Sequence, residues 1–467
     1  MLLQFTVENF LSFRDETTFS MLAAGADSQH PAHLVQNAAG KGRAALRTTA
    51  IYGANGAGKS ALIKAIRFAH DLILRGRRSG QSIPVIPFKL SAKRNEASKF
   101  DFTFTHQGIQ YAYGFKVNAT QVLEEWLYVT PNKQEVPYFE RKTTDKGRVE
   151  IEFGSAMKGK NKKQEQFLEF VKEGTRPNQL FLTEAEDRNI ESIKPVIEWF
   201  RKVLLIISAD AEAQDLEMTL HQDANFTDFL CSLLQQAGTG IEGVATEEIP
   251  LDFDRHFPGM PDEFRKELLE NIRDSEKNHF VMLRSDSGAR HILTRSREGA
   301  PLLIKFRTQR VTEDRSLAEF EAQEESDGTR RLIHLAPALF GLKGTRESVV
   351  LIDELDRRLH TLLSKAFLEA FLDCDDTNRQ NQLIFTTHDT NLLDLDLLRR
   401  DEICFVEKDK TGASHLASLS EFKIRPDLQI EKGYLNGRFG AIPFLGNLCD
   451  LGWAQTESET QAEALPV

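Results

Sequence analysis

One octapeptide constrains this chain more than anything else in it. Gly53-Ala54-Asn55-Gly56-Ala57-Gly58-Lys59-Ser60 fits the pattern GxxxxGK[ST], and Ala61 follows it. Glycines at these spacings let main-chain N–H groups turn inward around phosphate oxygens. A helix starting at the lysine adds the positive end of its dipole. In that geometry Lys59 reaches the β- and γ-phosphates of a nucleotide, and the Ser60 hydroxyl ligates Mg2+. The flanks agree. A short strand over Arg47–Tyr52 leads in, and an apolar-periodic helix from Ser60 to about Leu74 leads out. The alternative is a glycine turn that merely begins a structural helix.

Further along, Ser348-Val-Val-Leu-Ile-Asp-Glu354 reads as a buried strand ending in two acids. Asp353 is suited to hold magnesium through water, and Glu354 to orient and polarise an attacking water. Thirty-four residues after Glu354, Leu383-Ile-Phe-Thr-Thr-His388 is another buried strand, with a histidine at its carboxyl end. A histidine there can donate to a γ-phosphate. Singly, each pattern is ordinary: strands often end in acids, and strand-end histidines are often structural. Their order and spacing behind the glycine loop favour a nucleotide site with Lys59, Glu354 and His388 as its catalytic residues. Between loop and acids lies Glu325-Ser-Asp-Gly-Thr-Arg-Arg-Leu332, followed by an apolar helical run. Ser326 and Gly328 then sit at a helix N-terminus. Alone, Ser326 is a good N-cap; beside the other motifs it reads as a second phosphate-binding element.

Taken in this order, the chain resembles ABC-class ATPases of the SMC, RecF and OLD type. Its finer texture is similar to the stand-alone AAA-type ATPases of bacterial anti-phage and abortive-infection systems, including the ATPase subunits of PARIS and Septu type systems. Three segments carry this: Glu8-Asn-Phe-Leu-Ser-Phe-Arg-Asp15, Asp353-Glu-Leu-Asp-Arg-Arg-Leu-His360, and Gln429-Ile-Glu-Lys-Gly-Tyr-Leu-Asn-Gly-Arg-Phe-Gly-Ala-Ile-Pro-Phe444. The resemblance covers about Met1–Gly154 and Phe280–Phe444. It implies an α/β fold: an ABC/SMC-like P-loop ATPase head with an antiparallel β meander and an inserted helical domain. It implies ATP and Mg2+ as cofactors, held by Gly53–Ala61 and by Ser60 with Asp353. It also implies a homodimer with two sandwiched nucleotides, in which Ser326 and Gly328 of one chain face the nucleotide held by the other. Larger rings stay open, as do a separately encoded effector and DNA as partners. Ser-Asp-Gly-Thr stands where the family has Ser-Gly-Gly-Gln, Thr361 stands where a proline is usual, and no Q-loop glutamine is assigned. Arg14 either approaches the nucleotide or is a plain surface arginine.

Several activities are disfavoured. OLD proteins append a Toprim-type metal nuclease, but only 79 residues follow His388 here. Glu407 and the Asp394-Leu-Asp396 pair stand in the wrong order for one and read as structural. SMC proteins insert long coiled coils, whereas Gly154–Lys277 is short and broken by Gly238-Thr-Gly240 and Pro258-Gly-Met-Pro261. The insert is expected either to dock a partner or to buttress the dimer. The competing reading is a RecF-like clamp on duplex DNA, resting on the basic runs Arg75-Gly-Arg-Arg78 and Lys158-Gly-Lys-Asn-Lys-Lys163. A transporter subunit is disfavoured by the insert and the altered signature.

The expected organisation is an N-terminal lobe over 1–154 with an antiparallel meander from residue 99 to 153, a helical insertion over 155–279, a C-terminal lobe over 280–455, and a disordered tail over 456–467. Acidic residues number 70 and basic residues 59, a net charge of −11. That excludes a generally basic nucleic-acid coat. No apolar run approaches the roughly 18 residues needed to span a bilayer, and the first residues lack the basic start of a secretory signal. Cys231, Cys374, Cys404 and Cys449 lie far apart, which disfavours a zinc site or a disulfide framework. A cytoplasmic location is expected, with no membrane partner.

Overall fold

The computed structural model describes residues 1–25, 27–40, 42–131, 134–157, 162–213, 216–273, 280–284, 290–296, 298–344, 346–373, 380–423 and 429–442. At its centre is a six-stranded sheet in the order Leu204–Ile207, Ser348–Ile352, Asn381–Thr386, Thr48–Tyr52, Ile403–Lys408, Ser414–Ser418. The first five strands run parallel and the last antiparallel. Thr48–Tyr52 and Asn381–Thr386 are buried at every position. Continuous burial is what a parallel sheet covered on both faces demands.

One cover is the helix Lys59–Arg75 and, beyond it, a seven-stranded antiparallel sheet. Its strands run in the order Val149–Phe153, Val136–Thr143, Val122–Thr130, Ile109–Val117, Ser98–His106, Leu2–Glu8, Thr17–Ser20. Burial alternates strictly along Ser98–His106, as expected where one face meets the core. The inward face is aromatic. Phe104 stacks on Trp199 at 4.1 Å and Phe102 meets Phe200 edge-on at 5.1 Å. Each such side chain stabilises the fold by about 1.5–3 kcal/mol through burial. The other cover of the central sheet is formed by Asp327–Lys343, Thr361–Leu372 and Ile430–Leu435.

Alternation in the sequence predicts meander strands over 99–105, 109–117, 123–130 and 149–153, and the structure adds a fifth, Val136–Thr143. Val136–Thr143 is mostly polar, and its buried positions are Phe139 and Arg141. Arg141 is ion-paired with Glu125 at 3.2 Å, both fully buried.

The segment 155–279 is mainly helical, as expected, with Lys162–Gly174, Ala224–Gln236 and Asp262–Arg273 as its longer helices among the described residues, but it also holds two strands. Leu204–Ile207 forms the edge strand of the central sheet, beside Ser348–Ile352. Gly243–Pro250 pairs along its whole length with Pro301–Val311. These two join Arg290–Arg295, Val281–Arg284 and Leu317–Glu321 in a second antiparallel sheet. Phe181, Val196 and Trp199 sit in the same core as the seven-stranded sheet. The chain here threads through the main body rather than standing on it. Strand Leu204–Ile207 is only four residues long, and no residue of Gly243–Pro250 is fully buried, so neither showed a clear period of two. The basic run 158–163 and the tail 456–467 fall wholly or largely outside the described residues.

Candidate functional site

The carboxyl ends of the parallel strands open onto a cavity of about 560 Å³. Its lining includes Gly56, Lys59, Ser60, Glu354, His388 and Lys408. Four separate strands bring them there: Thr48–Tyr52 leads into the glycine loop, Ser348–Ile352 into the acids, Asn381–Thr386 towards His388, and Ile403–Lys408 ends in Lys408 itself.

Gly53 lies against the neighbouring strand, where a Cβ would come within 2.5 Å of the Val406 carbonyl oxygen. Gly58 has φ 125° and packs on the Ser414 side chain, whose hydroxyl donates to the Ala57 carbonyl at 2.5 Å. A side chain fits neither position. Gly56, by contrast, has φ 75° and open space beside it. The helix then starts at Lys59 with no side chain capping its first amides. Those amides remain donors for an anion.

The Lys59 ammonium donates to the carbonyls of Gly53 at 2.7 Å and Ala54 at 3.3 Å. Burial pushes its pKa down to about 8, against the pull of Asp353, Glu354 and Asp356. Ser60 Oγ donates to Asp353 Oδ1 at 3.1 Å, and Thr386 Oγ1 donates to the same oxygen at 2.7 Å. The Glu354 N–H donates back to Thr386 Oγ1 at 2.7 Å. Glu354 itself has φ 53°, a left-handed conformation uncommon for a residue with a side chain. Its carboxylate meets Arg357 at 3.3 Å, and Arg357 also pairs with Asp210 at 2.9 Å. The main-chain N–H of His388 faces the Asp356 carboxylate at 3.3 Å. Burial, with Lys59 nearby, holds the His388 imidazole below its ordinary pKa.

These residues fit a magnesium–nucleotide complex. A hydroxyl and a carboxylate oxygen in contact are the hard donors that Mg2+ takes. Lys59 has only main-chain carbonyls to leave when a phosphate arrives. Ala54, Asn55 and Ala61 also line the cavity, whereas Ala57 belongs to the loop but not to the lining.

The second element stands apart from the cavity. Ser326 caps its helix, with Oγ accepting from the Thr329 N–H at 3.2 Å. Neither Ser326 nor Gly328 lines the cavity of its own chain. Arg14 is held by Asp15 at 2.8 Å and by Thr411 at 2.9 Å, outside the lining. The run Arg75–Arg78 makes the turn that ends the first helix. Gly76 has φ 58° there, and the main chain of Arg77 and Arg78 is held by Gln179, Arg176 and Asn178. Sequence reasoning missed Ser12, Lys64 and Lys408 in the lining and Thr386 behind the acids. Lys64 had a signal, one turn beyond Ser60 on the same helix. Lys408 had a weaker one, at the end of an apolar strand.

A family profile described as "AAA domain, putative AbiEii toxin, Type IV TA system" matches residues 48–153 and 166–394. No curated protein matches the chain. Among solved structures, the SMC head domain from Thermotoga maritima is similar at 12% identity and a TM-score of 0.38, covering 91% of this chain and 99% of that one. An Smc head domain with an extended coiled coil, bound to the C-terminal domain of ScpA derived from Pyrococcus furiosus, is similar at 13% identity and a TM-score of 0.35, covering 90% and 97%. No helix among the described residues is long and apolar enough to cross a membrane.

Proposed function

This chain belongs to that family of AAA domains and is an ATP-hydrolysing enzyme, and from that premise we propose that it is the regulatory ATPase subunit of a bacterial anti-phage, abortive-infection system. In this reading it closes into a homodimer around two ATP molecules and controls a separately encoded effector, such as a nuclease or toxin. The observation that carries the reading is the cavity itself, where Lys59, the Ser60–Asp353 pair, Glu354 and His388 meet at the ends of three strands.

Roles follow from position. Lys59 and the amides of Gly53–Ala61 bind and neutralise the phosphates. Ser60 and Asp353 would hold Mg2+, which would supply charge neutralisation at the phosphates. Glu354 orients water and accepts its proton. His388 donates to the terminal phosphate. Ser326 and Gly328 lie outside the cavity of their own chain, which is consistent with their serving the site of a second copy. The terminal phosphate would then be contacted by two chains at once, so ATP joins them and hydrolysis releases them.

Glu354→Gln tests this. It is expected to bind Mg-ATP, to shift to a dimer in light scattering, and to lose at least about 100-fold in hydrolysis, the usual worth of a general base. Hydrolysis at the wild-type rate would remove the assignment of Glu354. The wild-type rate is expected to be indifferent to duplex DNA across a salt series. Strong, salt-sensitive stimulation would favour a DNA clamp instead.

A further inference from the structure

The helix Asp327–Lys343 grips the turn that follows Asp353 at three places. Arg331 is buried in the helix's second turn. Its Nη2 donates to the main-chain carbonyls of Asp353 and Glu354, each at 3.3 Å, and its Nη1 to that of Ser208 at 3.3 Å. Gly328 lies so close to the turn that a Cβ would stand 2.8 Å from the Arg358 carbonyl oxygen. Asp327 pairs with Arg358 at 3.6 Å.

The gripped turn is not a relaxed one. Glu354 has φ 53° and Arg358 φ 63°. Such conformations persist only where the surroundings impose them. A guanidinium is suited to impose them, because it is a planar fork of donors that stays charged. Arg331 spends that fork on main-chain carbonyls, two of which belong to the residues that orient water and metal.

We propose that Arg331 is a positioning residue for Glu354, fixing the carboxylate's main chain to the helix that begins at Ser326. The inference rests on the role given to Glu354 above and adds a route within one chain. Whatever engages Ser326–Gly328 moves the start of this helix, and Arg331 carries that movement to the carboxylate of the chain's own cavity.

The test is steady-state and binding kinetics of full-length Arg331→Ala and Arg331→Lys with Mg-ATP, with thermal melts of both. Arg331→Ala is expected to keep its Kd for Mg-ATP within about 3-fold and to lose at least about 10-fold in kcat. Arg331→Lys should recover part of that loss, because an ammonium can still reach one carbonyl. A lower Tm with unchanged kcat for the folded protein would mean a merely structural role and would overturn the proposal. So would a rise in KM at constant kcat. If Arg331→Ala does not fold, Arg331→Lys decides alone, and a wild-type kcat in it overturns the proposal. Glu354→Gln run in parallel separates the two readings. If it hydrolyses normally, both fall; if it is inactive while the Arg331 variants turn over normally, only the role of Arg331 falls.

Discussion

At the scale of single residues, Lys59 and Asp353 are charges held by neutral partners. Lys59 rests on two carbonyls, and burial keeps its pKa near 8. A bound polyphosphate favours the charged ammonium, so the bound form holds a proton that the free form sheds above about pH 8. Affinity for Mg-ATP should therefore be flat below pH 8 and fall as pH rises through it, by up to about tenfold per unit. Calorimetric titrations from pH 7 to 9.5 check this, and a flat profile would show that Lys59 does not titrate there. Thr386 is the neutral hinge of the site, giving one bond to Asp353 and taking one from Glu354. Thr386→Val keeps the shape and strands both groups, and a loss of about 1–3 kcal/mol in denaturant stability is expected. Lys59, Ser60, Asp353, Glu354 and His388 were legible because their chemistry fixes their spacing. Thr386 and Arg331 were not, because a hydroxyl and an arginine inside apolar stretches give no periodic signal of what they hold.

At the scale of elements, legibility followed burial. Strands buried on both faces, such as Ser348–Ile352, announce themselves as apolar runs, and Ser98–His106 announces itself by alternation. Gly243–Pro250 does neither, and its place comes from its register with Pro301–Val311. The segment that begins at Gln429 shows how an element earns its position late in the chain. Phe439 stacks on Phe405 at 5.5 Å, Tyr434 on the same ring at 5.4 Å, and Tyr434 meets Tyr52 edge-on at 6.0 Å. Tyr52 is the last residue before the glycine loop and donates to the Asp389 carbonyl at 3.3 Å. Phe439→Ala should cost about 3–5 kcal/mol in denaturant unfolding. A cost under 1 kcal/mol would mean that this segment only lies against the sheet.

At the scale of the whole molecule, the glycine loop and the Ser326–Gly328 segment of one chain lie apart, and the phosphate-binding role proposed for both requires a dimer. Lys59→Ala and Ser326→Ala should each be inactive alone. Mixed in equal amounts they should regain up to about a quarter of wild-type turnover, since half of the mixed pairs' sites are intact and about half of random pairs are mixed. No recovery in a mixture that forms pairs would argue against shared sites. The grip of Asp327–Lys343 on the turn at Glu354 gives such a pair a means for each cavity to register the state of the other.

The order of strands in the central sheet has a consequence for the making of the protein. Thr48–Tyr52 has as neighbours Asn381–Thr386 and Ile403–Lys408, both synthesised about 330 residues or more after it. At about 5–20 residues per second, the strand leaves the ribosome tens of seconds before anything exists to pair with it. The glycine loop on its end has no floor until then. A chain terminated before residue 381 carries the octapeptide but neither of the strands that flank it, so translation must pass Lys408 before the cavity can close.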